Sequence, residues 1–238
     1  MKRSREEWLQ ILATIEGGYI PLAGKEAIYD DSFLGAKMLR EKGIIRNGDR
    51  ILDIGCANGN HAIAFAEEMD VEYVGLDCTE AAIRFCRLAF ERYPNFSFVH
   101  LDICNPQYNP LGTLLPAAEN IILPDGPFDA VIARSLFTHL ETIPICARYI
   151  EEVQRVLRPG GKFYSTWFRS PPHPVSNWAG KTVFREAEII NLLKGFYIDE
   201  TIDAGSSEYH KQWIIYATHQ LHESPRVAAT VFMASSVI

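Results

Sequence analysis

Five short runs rich in Ile, Val, Leu and Phe recur between residues 50 and 168, and helical spacing or turn residues separate each from the next. Arg50-Ile51-Leu52-Asp53-Ile54 is the first, followed by runs at 71–76, Phe96 to Leu101, Phe128 to Ala133 and Lys162 to Phe168. Between them, residues 60–69, Thr79 to Tyr93 and Ile145 to Leu157 carry apolar side chains at helical intervals. A run that is apolar at consecutive positions suits a strand buried on both faces, and strands joined through helices run parallel. The expected fold class is therefore α/β, a doubly wound parallel sheet with helices on both faces.

The flanks add less regular pieces. Ser4-Arg5-Glu6-Glu7 reads as a capping box before Trp8, Leu9, Leu12 and Ile15, and a second helical pattern covers Lys25 to Glu41. Asn105 to Gly126 holds four prolines and no clean period, so it reads as a long connection, with one helical turn expected at Leu114 to Ala118. Ser170-Pro171-Pro172-His173-Pro174 is too rich in proline for a helix or a central strand, and is expected to be a loop. Glu186 to Leu193 looks helical, and Phe196 to Ile202 and Gln212 to Thr218 look like two closing strands.

At 238 residues and 47% hydrophobic composition, one domain over 1–238 is the default. Within it, residues 1–48 would cover the site, 49–220 would form the core and 221–238 would be a tail. The net charge of −7 disfavours a nucleic-acid partner, since it repels a phosphate backbone. Five cysteines without CxxC spacing make a poor disulfide framework and suit a reducing cytoplasm. No apolar segment follows Met1-Lys2-Arg3 and no run of about 18 apolar residues occurs, so no membrane span is expected. No signal fixes an oligomeric state.

Asp53-Ile54-Gly55-Cys56-Ala57-Asn58-Gly59 falls where the first strand turns into its helix, at the strand ends where a doubly wound sheet leaves a crevice. A dinucleotide fingerprint needs small residues at the first, third and sixth positions; these are Gly55, Ala57 and Asn60, and the last does not fit. Alternate spacing, Gly55, Ala57 and Gly59, fits better. Asp77 closes the second strand 18 residues after Gly59, where a carboxylate can accept from both hydroxyls of a ribose. The competing reading, that Asp77 caps the next helix, is weakened because Thr79 stands ready to do so. Asp102 ends the third strand and could accept from an adenine amine, with Ile103 against the ring face.

In this arrangement the sequence resembles the class I S-adenosylmethionine-dependent methyltransferases, over about Arg50 to Phe168. Asp53 to Gly59 resembles the family's glycine-rich motif, Gly75-Leu76-Asp77 its ribose-binding acid and Leu101-Asp102-Ile103 its adenine-contacting motif. Phe128 to Ala133 and Val156-Leu157-Arg158-Pro159-Gly160-Gly161 are similar to its fourth-strand motif and the turn before strand five. Tyr108 to Gly112 and Ser135 to Leu140 resemble segments of the broad type 11 and 12 group.

The resemblance implies a Rossmann-like seven-stranded sheet of order 3-2-1-4-5-7-6 with strand seven antiparallel, and S-adenosylmethionine as cofactor. It implies cofactor contacts from Asp53, Gly55, Cys56, Ala57, Gly59, Asp77, Cys78, Asp102, Ile103 and Arg134. Ala57 departs from the family's middle glycine; an alanine methyl is tolerated there if the local backbone has negative φ, and it leaves less room for the methionine part of the cofactor.

Methyl transfer from a sulfonium is an in-line displacement that needs alignment and exclusion of water, with a base only for some acceptors. His139 is the best placed of seven histidines to act as that base, against packing within its own turn; His173 and His210 suit surface loops and His61 the helix above the glycine turn. Tyr19, Tyr29, Phe33, Trp167, Phe168 and Trp178 are candidate walls for an acceptor. No His/Asp/Glu cluster has metal-ligand spacing, so no metal is expected. The charge, and the absence of an Asn-Pro-Pro-Tyr/Phe motif after the fourth strand, favour a small-molecule acceptor. An aminopropyl transferase, a cofactor-assisted lyase or cyclase, and a non-catalytic binding module are the alternatives on this fold.

Overall fold

A computed structural model describes residues 2–16, 24–115, 121–170, 176–178, 181–205 and 211–220. The chain divides into two compact units, Met1–Pro116 and Ala117–Ile238, each with its own part of a parallel sheet.

In the first unit, β1 (Arg50–Ile54), β2 (Glu72–Asp77) and β3 (Phe96–His100) lie parallel in the order β3-β2-β1. Leu52 faces Val74 and Gly75 faces Phe98 in register. The interior of β1 is buried throughout, as its unbroken apolar run requires. Helices α3 (Ala62–Glu68) and α4 (Glu80–Ala89) make the crossovers. Tyr73, Phe90, Phe96 and Phe98 pack ring on ring, with Phe90 and Phe96 5.7 Å apart and nearly parallel.

Two helices precede this sheet. The capping box of α1 (Arg5–Ala13) forms as read: Ser4 Oγ accepts from Glu7 N at 3.2 Å and Glu7 Oε2 from Ser4 N at 2.7 Å. Trp8 is fully buried, stacked 6.1 Å from Tyr93, and its indole N–H donates to Glu67 Oε1 at 2.7 Å. The Glu67 carboxylate also accepts from the Tyr93 hydroxyl and the Arg3 amide, so one acid anchors the start of the chain. Helix α2 (Glu26–Glu41) buries Ile28, Ser32, Gly35, Ala36 and Leu39 along one face, and Ser32 Oγ accepts from Ala64 N on α3.

In the second unit, β4 (Phe128–Ala133) lies parallel to β5 (Leu157–Ser170) across the crossover helix α5 (Ile143–Val156). After α6 (Glu186–Leu192), β8 (Phe196–Gly205) and β9 (Lys211–His219) form the closing pair. β9 is antiparallel to β5 from Lys162↔Thr218 to Arg169↔Lys211 and β8 is antiparallel to β9. Each unit thus carries its share of the expected order: 3-2-1 in the first, and 4-5-7-6 with an antiparallel seventh strand in the second.

Among the described residues there are nine strands, the expected seven and an added pair. β6 (Ser176–Trp178) and β7 (Lys181–Arg185) form an antiparallel pair, and β7 runs parallel to the upper end of β5, at Phe168 to Ser170. β5 outlasts β4 by several residues, and β7 completes the pairing that β4 leaves. Of the loop expected at Ser170 to Pro174, Ser170 instead ends β5 and residues 171–174 lie outside the described residues, as do residues 206–210 and the tail from 221 to 238. So does most of the expected helical turn at Leu114 to Ala118; Leu114 itself bridges to Ile103.

Truncating Trp8→Ala removes the indole donor and an aromatic core contact together. It is expected to lower stability by about 3–5 kcal/mol, read as a shift in the urea unfolding curve.

Candidate functional site

The turn after β1 is tied to the end of β2. Gly55 N and Cys56 N both donate to Leu76 O, at 2.7 and 3.1 Å, and Gly59 N donates to Cys56 O at 2.9 Å. Gly59 has φ 79°, and a β-carbon there would come within 2.9 Å of the Phe90 ring, so both conformation and space require glycine. Ala57 does not meet the condition of negative φ: its φ is +48°. Its amide donates to Asp77 Oδ2 at 2.9 Å, and the left-handed backbone costs an alanine about 1–2 kcal/mol.

Asp77 is the meeting point of the turn and the next helix. Oδ2 takes the Ala57 amide and Oδ1 the Thr79 amide at 2.8 Å. Burial pushes its carboxyl above the ordinary range, against the opposing pull of the Thr79 and Ala57 amides. Thr79 takes the N-cap position of α4 as expected, but its side chain makes no capping hydrogen bond. Each Asp77 oxygen accepts one backbone amide hydrogen bond and keeps acceptor capacity for a hydroxyl donor, so the residues present fit a bound ribose.

Asp53 lies lower, at the end of β1 and almost wholly buried. Its Oδ2 accepts from the Tyr73 hydroxyl at 2.8 Å and faces His61 Nδ1 at 3.1 Å, so it braces the turn from beneath, between β2 and the start of α3. Sequence reading did not foresee Tyr73 or His61 as its partners; the alternation along β2 that puts Tyr73 on the face of Gly75 and Asp77 was the available signal. Cys56 is buried, its thiol pushed well up by burial, and Ala57 O faces both Cys56 Sγ at 3.7 Å and Cys86 Sγ at 3.4 Å. Cys78 follows Asp77, and burial with the adjoining carboxylate pushes its thiol up to about 12.

Asp102 and Ile103 follow β3, as expected. Ile103 is buried, whereas the Asp102 carboxylate turns to its own loop, meeting Asn109 Nδ2 at 2.9 Å and Thr113 Oγ1 at 2.5 Å. These hydrogen bonds hold its carboxyl below the usual carboxylate value. Asn109 lies in the Tyr108 to Gly112 segment, but its tie to Asp102 depends on loop closure, which spacing alone does not reveal.

In the second unit, Arg134 and Ser135 follow β4. Ser135 has φ +59°; its amide donates to Thr166 Oγ1 at 2.7 Å and its carbonyl accepts from Thr138 Oγ1 at 2.7 Å. Phe137 stacks on Trp167 with ring centroids 4.0 Å apart, and Thr182 Oγ1 donates to Leu140 O at 2.6 Å. Side chains of β5 and β7 thus hold Ser135 to Leu140 in one strained shape, with His139 half-buried at the end of the 3-10 turn Phe137–His139. Thr166, missed from sequence, is the acceptor that supports the strained residue.

Trp167 is not an acceptor wall. It is fully buried between Phe137 and Phe184, because it points into the core from β5. Phe168 is half-buried, and Tyr29 and Phe33 pair with each other 4.7 Å apart. Tyr19, His173, His210 and the Trp178 side chain lie outside the described residues. Among the described residues, no group of three His, Cys, Asp or Glu could hold a metal ion.

A family model described as a methyltransferase domain matches residues 45–219, about three-quarters of the chain and both units. The chain belongs to the S-adenosylmethionine-dependent methyltransferases. Its sequence is 29% identical over 136 residues to phthiotriol/phenolphthiotriol dimycocerosates methyltransferase 1 of Mycobacterium ulcerans, covering 56% of this chain and 42% of that one. It is 31% identical over 135 residues to fatty-acid O-methyltransferase of Mycolicibacterium smegmatis, covering 55% and 41%. The match therefore spans less than half the length of these relatives. A solved S-adenosylmethionine-dependent methyltransferase of Methanosarcina mazei shares the fold with TM-score 0.56 and 20% identity, over 77% of this chain and 98% of that one. Class I methyltransferases take S-adenosylmethionine as cofactor, in keeping with the glycine turn and Asp77.

Because the positive φ at Ala57 is strained, the protein gains stability on losing that methyl. Ala57→Gly is expected to raise stability by up to about 1 kcal/mol, the left-handed strain relieved less the added freedom of the unfolded chain, measured by thermal or urea unfolding.

Proposed function

We propose that this methyltransferase transfers the methyl group of S-adenosylmethionine to a small-molecule acceptor. The observation that carries the reading is Asp77, whose two oxygens join the glycine turn to the start of α4 and retain acceptor capacity at the strand ends. When bound, the cofactor supplies an electrophilic methyl on a sulfonium, and the acceptor's lone pair displaces it in line.

The chain's own residues bind and orient. Asp77 accepts from the ribose hydroxyls, with Cys78 beside it. Gly55, Cys56, Ala57 and Gly59 shape the turn against the methionyl part, with Asp53 bracing them from below. Asp102 and Ile103 lie on the adenine side. Within the second unit, the clamp from Thr166, Trp167 and Thr182 fixes the turn that carries His139, and a fixed imidazole can take a proton from a hydroxyl or ammonium acceptor.

The curated relatives' names, a dimycocerosate methyltransferase and a fatty-acid O-methyltransferase, make apolar hydroxyl and carboxyl compounds the first acceptors to screen. The net charge of −7 supports a reaction without nucleic acid. All five cysteines are free, which supports a reducing cytoplasm, and among the described residues no helix is long and apolar enough to cross a membrane.

Calorimetry with S-adenosylhomocysteine tests the cofactor site, with NAD as the control; tighter binding of NAD would sink the reading. Asp77→Ala is expected to weaken S-adenosylhomocysteine by about 1.5–3 kcal/mol. Hydroxyl donors need the ionised carboxylate, so affinity holds above the Asp77 pKa and falls as pH drops through it. Because that pKa is raised from 3.8, the loss begins at a higher pH than an ordinary aspartate would give, and Asp77→Asn binds weakly without the step.

His139→Ala is expected to lower turnover at least about tenfold on an oxygen acceptor found by such screening, with cofactor affinity unchanged. Full turnover by a folded variant would remove His139 from the chemistry.

A further inference from the structure

The loop that follows β3 is tied so that its tip cannot fold back. Asn105 and Asn109 exchange backbone hydrogen bonds at 3.0 and 2.9 Å, and Asn105 Oδ1 accepts from the amides of Gln107 and Tyr108. Asn109 O accepts from Gly112 N at 3.1 Å, which closes a four-residue turn with Pro110 and Leu111 at its centre. Both flanks of that turn are drawn inward: Asn109 and Thr113 donate to the Asp102 carboxylate, and Leu114 pairs with the backbone of Asp102 and Cys104. Gly112 packs so closely that a β-carbon there would come within 2.5 Å of Cys104 N.

With its flanks held, the turn projects Leu111 outward. Leu111 is 90% exposed, Leu115 69% and Leu114 37%, and Pro106 and Pro110 of the same loop are exposed as well. One exposed leucine is ordinary on a protein surface, whereas three within five residues of a hydrogen-bonded loop form an apolar patch. From Ile103 to Ala118 the sequence holds no charged residue.

Area and charge decide what meets these leucines. The three together expose about two whole leucines, far short of the roughly 800 Å² per partner that a stable protein interface buries, so a second copy gains too little from them. A lipid surface sets no such minimum, since each apolar side chain that enters the acyl boundary adds its own transfer free energy. The loop brings no cation to an anionic headgroup, and the chain's net charge of −7 is repelled by one, so the surface that fits is zwitterionic.

We propose that the loop from Asn105 to Leu115 docks this protein on a zwitterionic phospholipid bilayer, weakly and reversibly, with Leu111 and Leu115 entering the acyl boundary. Neither leucine belongs to the cofactor site, so vesicle binding and cofactor binding fail independently.

The test is co-sedimentation of the full chain with phosphatidylcholine vesicles at millimolar lipid, with and without added phosphatidylserine. The wild type is expected to partition onto phosphatidylcholine equally at low and high salt, and no more strongly when phosphatidylserine is present. Leu111→Ser and Leu115→Ser each weaken partition about tenfold or more, and Leu111→Phe keeps it. Circular dichroism checks that each variant is folded. Leu111→Trp carries the test if a serine variant does not fold: its emission shifts to the blue on adding vesicles, beyond any change in the wild type, and the lack of such a shift overturns the proposal. Absence of wild-type partition, partition that survives both serine substitutions together, or partition that requires phosphatidylserine or is lost in salt would each overturn it. So would a lipid-free dimer, seen by sedimentation velocity, that Leu111→Ser dissociates, since a second copy would then be the occupant.

Discussion

Parallel pairing of β1 with β2 is the constraint on which the cofactor side depends. Because Ile54 faces Leu76 in register, the first amides of the turn fall on the Leu76 carbonyl, and the next residue of β2 is Asp77. The turn and the acid meet because the two strands end together. The left-handed Ala57 follows from the same geometry: its amide reaches the Asp77 carboxylate in that conformation, and the hydrogen bond to a charged acceptor offsets the strain.

The strands that could be read from sequence are those buried on both faces. β1, β4 and the core of β5 carry consecutive apolar residues, which leaves little choice of structure. β6 and β7 escaped because Ser176-Asn177-Trp178 is short and mostly polar, and Lys181 to Arg185 is charged at both ends; they are strands because the upper end of β5 needs a partner. Such pairing is a tertiary demand that local pattern does not carry.

The candidate site divides in the same way. Asp77 was legible because its distance from the glycine turn follows from one strand-helix-strand unit. The sign of φ at Ala57 and the partners of Asp102 were not, since each depends on a hydrogen bond that exists only after the chain has closed on itself. Trp167 shows the limit of residue type as a guide: an aromatic near the end of β5 suits an acceptor wall and a core equally, and only the face it occupies decides.

The Glu67 anchor has a consequence for the order in which the molecule is made. Trp8 leaves the ribosome before its carboxylate partner, which follows 59 residues later, and before Phe90 and Tyr93, which follow later still. Until Tyr93 has been added, α1 has no surface on which to bury its indole. Helix α1 is thus a late piece of the first unit to dock although it is made before its partners, and any chaperone that meets the chain in that interval meets Trp8 exposed.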